Sequence, residues 1–346
     1  MRGRRLRYVL LGLGLVAVVV SFAYALPKIA DYGSVWGVLR QLSALDLGLL
    51  AGTAALNVLT FAPPWMIGLP GLGFRRAFAL TQASTALTYL APGGAAPGIA
   101  LSFGVLRRWG FARRAVTVAV AVTGVWNQFV VLGFPAVAVG LLSLVDERHP
   151  ALTSAALVGT GVFVGAVCAF ALGLRSARQA TRVGAAAARL ASAVLRLVRR
   201  GPVGWSGASF ARFRGDAIGL LGRRWHLLTL ATLAGHLTVF VVLLASLHAT
   251  GVPRAEVGLI EAFASWSLVR LLGSLPLTPG GVGIVELGLT GALLGFGGGE
   301  AEVVAAVLLY RALTILPTLG LGVVSASALG LGLRPRGRAI AQPPSD

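Results

Sequence analysis

Long apolar runs separated by short arginine-rich segments set the pattern of this chain. Leu6 to Leu26, Leu47 to Leu69, Ala115 to Val145, Ala151 to Leu174, Leu227 to Thr250 and residues 301–333 are such runs. Each meets the length of about 20 residues that a helix needs to cross a bilayer. Two further apolar stretches, 77–106 and 257–298, are interrupted near their middles by Pro92-Gly93-Gly94 and by Pro276 to Gly283. The pattern predicts an all-α polytopic membrane protein with about six full spans and two broken segments.

The arginines orient these elements. Of the 30 basic residues, all but Lys28, Arg40, Arg148, Arg254, Arg270 and Arg311 fall in segments that an inside N-terminus places in the cytoplasm. Asp31, Asp46, Asp146, Glu147, Glu256, Glu300 and Glu302 fall outside. Both ends of segment 77–106 carry arginines, Arg75-Arg76 and Arg107-Arg108. A hairpin that enters and leaves on the cytoplasmic side keeps both clusters inside. Its arms, about 15 and 12 residues, reach only roughly 18–22 Å. Segment 257–298 begins and ends on the opposite side by the same reasoning. Irregular backbone at membrane depth is tolerated where protein or a water-filled cavity shields it, which makes both segments re-entrant helical hairpins. Residues 47–145 and 227–333 then form an inverted repeat of span, hairpin and span. Paired broken segments of opposite orientation point to a transporter's midplane site.

This organisation divides the chain into a first membrane half, 1–174, and a basic linker, 175–224. A second membrane half, 225–333, and a disordered cytoplasmic tail, 334–346, follow. The linker holds eleven arginines against one acid, Asp216. Within it Val183, Ala187, Leu190, Val194 and Leu197 repeat at helical spacing beside Arg182, Arg189 and Arg196. That is an amphipathic helix suited to an anionic leaflet, or else a soluble connection between the halves. Arg2 to Arg7 ahead of Leu10 to Val20, with Ala23-Tyr24-Ala25, resembles a secretory signal. The expectation is that this first run stays as an anchor.

Composition adds exclusions. The chain of 346 residues is 56% hydrophobic and 12% charged, with mean hydropathy +0.84. A net charge of +19 invites a nucleic-acid reading, but the clustering of arginines between spans assigns that charge to membrane topology instead. Cys168, the one cysteine, lies inside an apolar run, so neither a disulfide nor a cysteine metal site is expected. Gly12-x-Gly14 and Gly320-x-Gly322 sit in spans, not at a strand-to-helix turn, and no metalloprotease or nucleophile-elbow motif occurs. No cofactor, metal or catalytic constellation is expected.

The candidate chemistry lies at the second break. Arg270, Glu286 and Arg311, with Glu261, are ionisable groups in apolar surroundings, where charges pair, face water or serve function. Gly280, Gly281 and Gly283 permit the turn and leave amides at the start of the next half-helix, an anion site in combination with Arg270 and Arg311. Glu286 reads as the partner of an arginine when no substrate is bound, as a receiver of a cationic head group, or as half of a permanent pair holding the hairpin to the last span. Gln82, Thr85, Tyr89, Asn127, His236, Glu261 and Tyr310 are candidates for the lining of a cavity. Thr88 and Gln128 add to its polar content. For any one of these, an interhelical hydrogen bond worth under about 1–2 kcal/mol is the plainer role.

The stretch "PLTPGGVGIVELG", with "GALLGFG" and "LLYRALTILP" after it, resembles the lysylphosphatidylglycerol synthase transmembrane family, which includes the flippase half of MprF-type proteins. The pattern P-x-x-P-G-G-x-G-x-x-E followed by an arginine falls on Pro276, Pro279, Gly280, Gly281, Gly283, Glu286 and Arg311. "APGGAAPGIALSFGVLRRWG" resembles the first hairpin more loosely. The resemblance covers about residues 8–333 and concerns the membrane part. MprF-type proteins carry a large aminoacyl-transferase domain after it, whereas only 334–346 follow here, so lipid modification is not implied. It implies a flippase that moves an anionic or aminoacylated phospholipid, or a polyprenyl-phosphate-linked intermediate, between leaflets of the cell membrane. An integral-membrane lipid-modifying transferase is the alternative. So is a non-catalytic membrane partner of a soluble synthetase or glycosyltransferase. Membrane lipids are the expected partners, with a homo-oligomer possible and nucleic acid excluded.

Overall fold

The computed structural model describes residues 31–91, 95–143, 150–176, 207–274 and 278–329, with scattered residues between 178 and 192. Every regular element among them is helical. Helix α1 spans Tyr32–Arg40, α2 Ala44–Thr60, α3 Pro63–Gly68, α4 Phe74–Leu90, α5 Ala95–Arg108 and α6 Arg113–Leu142. Helix α7 spans Pro150–Arg175, α8 Gly207–Ala249, α9 Leu259–Gly273, α10 Ile284–Gly295 and α11 Glu300–Ala328, with a 3-10 turn at Pro279–Gly281.

Among the described residues, five helical stretches are long and apolar enough to cross a membrane: Ala44–Gly68, Arg113–Leu142, Leu157–Arg175, Phe213–Ala249 and Glu300–Ala328. They match five of the six expected spans. The first apolar run, both Pro-Gly-Gly-containing bends in part (92–94 and 275–277), and the tail lie outside the described residues. Of the expected basic amphipathic segment, the described residues between 178 and 192 are helical, with Arg182 and Arg189 exposed. Its apolar stripe, Val183, Ala187, Leu190, Val194 and Leu197, and Arg196 lie outside them. Helix α8 begins at Gly207 and runs unbroken through the expected boundary at 224/225.

Local chemistry fixes the ends of these helices. Ser43 Oγ accepts from the Asp46 amide at 3.2 Å while Asp46 Oδ2 accepts from the Ser43 amide at 3.0 Å, a reciprocal cap on α2. Pro63 and Pro64 then separate α2 from α3: proline lacks an N–H and clashes with the preceding turn, yet fits the start of a new helix. Arg214 Nε donates to the Leu174 carbonyl at 2.8 Å, closing the C-terminus of α7.

The packing repeats when the two halves are exchanged. Helix α2 packs on α8, the opening helix of each half against the other. Helix α4 packs on α11, the last helix of repeat 227–333, and α9 packs on α6, the last helix of repeat 47–145. Within the halves, α4 pairs with α5 as α9 pairs with α10. Helix α7 lies to the side against α6, with Leu157, Val158, Val162, Val164 and Leu172 exposed. Exposed apolar side chains of this density suit lipid contact, since hydrocarbon imposes no cost on them. Asn57 Nδ2 donates to Thr238 Oγ1 at 3.2 Å and Gln82 Nε2 to the Val58 carbonyl at 2.9 Å, bonds that tie α2 to α8 and to α4. The central cluster of Phe134, Phe240, Phe263 and Trp266 fills the space where α6, α8 and α9 meet.

Candidate functional site

At the second bend, Gly280, Gly281 and Gly283 have φ of 61°, 68° and 85°. An L side chain disfavours this left-handed region, so the glycines permit the chain to reverse between α9 and α10. At Gly280 space also matters: an added Cβ would lie 2.5 Å from Tyr89 Cδ1. The Tyr89 ring, in the last turn of α4, therefore rests on the backbone of the second bend.

Glu286, in the first turn of α10, is 1% exposed, and Arg311, midway along α11, is 9% exposed. Arg311 Nε donates to Glu286 Oε1 at 2.7 Å, and Arg311 Nη2 to the Gly280 carbonyl at 2.9 Å. The other carboxylate oxygen, Oε2, accepts from the Gly283 amide at 2.6 Å. Glu286 is thus the anion that satisfies the helix start. The Gly281 amide is also engaged, by the Thr278 carbonyl at 3.2 Å. Two of the amides expected at the anion site, those of Gly281 and Gly283, are accordingly engaged by the chain's own backbone and carboxylate.

Arg270, at the end of α9, has a different setting. Its Nη2 lies 3.1 Å from His236 Nδ1 of α8, and His236 Nε2 lies 3.0 Å from Asn127 Oδ1 of α6. A guanidinium only donates, so Nδ1 must be the acceptor and the imidazole carries its hydrogen on Nε2, donating to Asn127. Asn127 Nδ2 in turn donates to Gln128 Oε1 at 3.1 Å. Phe61 and Phe134 meet the imidazole edge-on and fix its plane. A neutral histidine holds Arg270, and among the described residues no carboxylate pairs with it.

These groups border a partly open cavity of about 530 Å³ lined by both halves. From the first half come Gln82, Thr85, Tyr89, Asn127 and Gln128, and from the second His236, Arg270, Gly280, Tyr310 and Arg311. Gly281 and Thr88 also line it. Gly283 and Glu286 do not, because the Arg311 pair keeps them behind the wall. Glu261 sits in the first turn of α9, outside the cavity's lining residues, with its carboxylate beside Gly258. A helix start attracts a carboxylate wherever the chain offers one.

Some lining residues carried no sequence signal. Thr278, whose hydroxyl is buried without a partner among the described residues, sits in the loop before the 3-10 turn. Asn57, Ser102 and Thr314 also face the cavity, contributed by three different helices. The His236–Arg270 contact joins residues 34 apart on separate helices, so no periodicity announces it.

Comparison with known proteins adds the family. The family model described as the lysylphosphatidylglycerol synthase TM region matches residues 9–322. Comparison with curated proteins gives no match. The chain belongs to the lysylphosphatidylglycerol synthase transmembrane family and is a multi-pass membrane protein with a lipid-related role.

Proposed function

We propose that this member of the family is a lipid flippase: it carries a phospholipid or a polyprenyl-phosphate-linked head group across the cell membrane through the cavity between its two halves. The observation that carries the reading is the placement of Arg270, which no carboxylate among the described residues pairs with, in a cavity lined by polar and apolar side chains of both halves. A head group held there would leave its acyl chains in the surrounding lipid, and rocking one half against the other would change which leaflet it meets. The exchange-symmetric packing of α4 on α11 and α9 on α6 is the kind of arrangement such a motion uses. In this reading both hairpins are re-entrant and oppositely oriented, and both chain termini are cytoplasmic.

A transferase would need a general base at the cavity. Glu286, its natural candidate, has both oxygens engaged by Arg311 and Gly283, and no other carboxylate among the described residues lines the space. This favours movement over chemistry.

The test is a leaflet-sidedness assay on the purified protein in liposomes with labelled phospholipids and a labelled polyprenyl phosphate. Translocation that disappears in Arg270→Ala is the expected result. No translocation of any of these lipids would refute the proposal and favour the role of a membrane partner for a soluble enzyme. Covalent product formed without any soluble enzyme would favour the transferase.

A further inference from the structure

We infer that the cavity selects a head group bearing a phosphate and neutral hydroxyls, and rejects one with a positively charged aminoacyl ester. The inference deepens the flippase reading and relies on it only for the step after binding.

It starts from where the acids are. The chain has 11 acidic residues, and none of those described lines the cavity. Asp31 caps α1 through the Ser34 amide, and Asp46 caps α2. Asp216 holds Arg114. Glu261, Glu300 and Glu302 occupy the first turns of α9 and α11, and Glu256 lies in the turn before α9. Glu286 has no free oxygen directed at the cavity. Asp146, Glu147 and Asp346 fall outside the described residues.

The basic side is not balanced in the same way. Arg311 is neutralised by Glu286, but Arg270 is held by a neutral imidazole, which orients the guanidinium without cancelling its charge. Only one of its five N–H groups is directed at His236, which leaves the planar fork for a phosphate. A lysyl or alanyl ammonium entering the same space would meet Arg270 as a like charge, with no carboxylate among the described lining residues to receive it.

The neutral groups complete the class. Thr88, Thr123 and Thr314 donate their hydroxyl hydrogens to carbonyls of their own helices. Their lone pairs remain as acceptors, suited to the hydroxyls of a glycerol, inositol or sugar. The buried Thr278 hydroxyl beside the bend has no partner within the described residues and supplies a donor. Among the described lining residues, one cation without a counter-charge, several acceptors and no anion fit a phosphorylated polyol.

The experiment measures binding to the detergent-purified full chain by calorimetry. The probes are dihexanoyl phosphatidylglycerol, dihexanoyl phosphatidylinositol, the lysyl ester of the first, and glycerol 3-phosphate. The expected order is both anionic lipids bound, the lysyl ester at least about tenfold weaker, and glycerol 3-phosphate weaker than either lipid. Arg270→Gln should lower the anionic affinities at least about tenfold and Arg270→Lys by less. A lysyl ester bound as tightly as its parent would overturn the inference, and this comparison needs no variant to fold. Loss of less than about twofold in Arg270→Gln would do the same. Glycerol 3-phosphate bound as well as the lipids would reassign the site to a soluble phosphate ester and overturn the lipid assignment. The expected order without translocation in liposomes would leave the head-group class standing and remove the flippase reading. Equal translocation of the lysyl ester would do the reverse.

Discussion

Removing the Glu286 carboxylate tests the account of the second bend most directly. In Glu286→Ala, Arg311 keeps one hydrogen bond, to the Gly280 carbonyl, and loses its counter-charge while 9% exposed. Breaking a buried pair by deleting one partner costs about 3–5 kcal/mol, because the survivor stays desolvated. The Gly283 amide loses its acceptor as well, for about 1–3 kcal/mol if water cannot replace it. A loss near 4 kcal/mol corresponds to a fall of order 5–10 °C in the thermal midpoint for a chain of this size. The paired substitution Glu286→Leu with Arg311→Met removes both charges and preserves much of the volume, so it should lie closer to the wild type than either single change. Melting of the detergent-solubilised protein, followed by size exclusion after heating, reads all four variants. A Glu286→Ala midpoint within two degrees of wild type would show that the pair does not hold the hairpin, and so would a double variant whose loss equals the sum of the singles.

Three further outcomes follow from other contacts. Gly280→Ala places a Cβ at φ 61° and 2.5 Å from the Tyr89 ring, so it should destabilise by about 2–3 kcal/mol. Adding Tyr89→Ala should recover the steric part and leave the backbone part of about 1–2 kcal/mol. Gly322→Val meets Ala86 Cβ at 2.3 Å and the Gln82 carbonyl at 2.9 Å, and the melt should report the cost of overpacking α11 on α4, about 1–3 kcal/mol. Asp216→Asn removes the partner of the exposed Arg114 and should leave the melt unchanged, because solvent screens the pair; a clear fall would show that this contact organises α6 against α8.

The fold was legible because hydrocarbon imposes one rule on every span. Backbone groups must be satisfied within the helix, so length and apolar content alone mark Arg113–Leu142 and Glu300–Ala328. Proline and glycine marked the break in each interrupted segment, and each is two helices, α4 with α5 and α9 with α10. Two features were out of reach. Helix α8 crosses the expected linker boundary because residues 207–224 set Arg212, Arg214, Asp216, Arg223 and Arg224 among small and apolar residues with no proline, a composition that continues a helix as readily as it ends one. The crosswise packing of α4 on α11 and α9 on α6 needs contact information that hydropathy does not carry.

The site divides along a similar line, and the division has a physical cause. Residues that act on their own backbone could be read from spacing: Gly280, Gly281 and Gly283 turn the chain where the motif places them, and Glu286 lies three residues after Gly283, the distance at which a carboxylate caps a helix start. Residues that act across helices could be named but not partnered. Arg270 and Arg311 both looked available to a phosphate, and Glu286 looked available to either arginine. The structure joins Glu286 to Arg311 at 2.7 Å and joins Arg270 to His236 at 3.1 Å. The two arginines therefore have different work. One is spent on holding the bend, and the other keeps its charge for the cavity. His236, expected from the sequence as a candidate for the cavity lining, is the group that aims Arg270, since only an uncharged acceptor can orient a guanidinium without neutralising it.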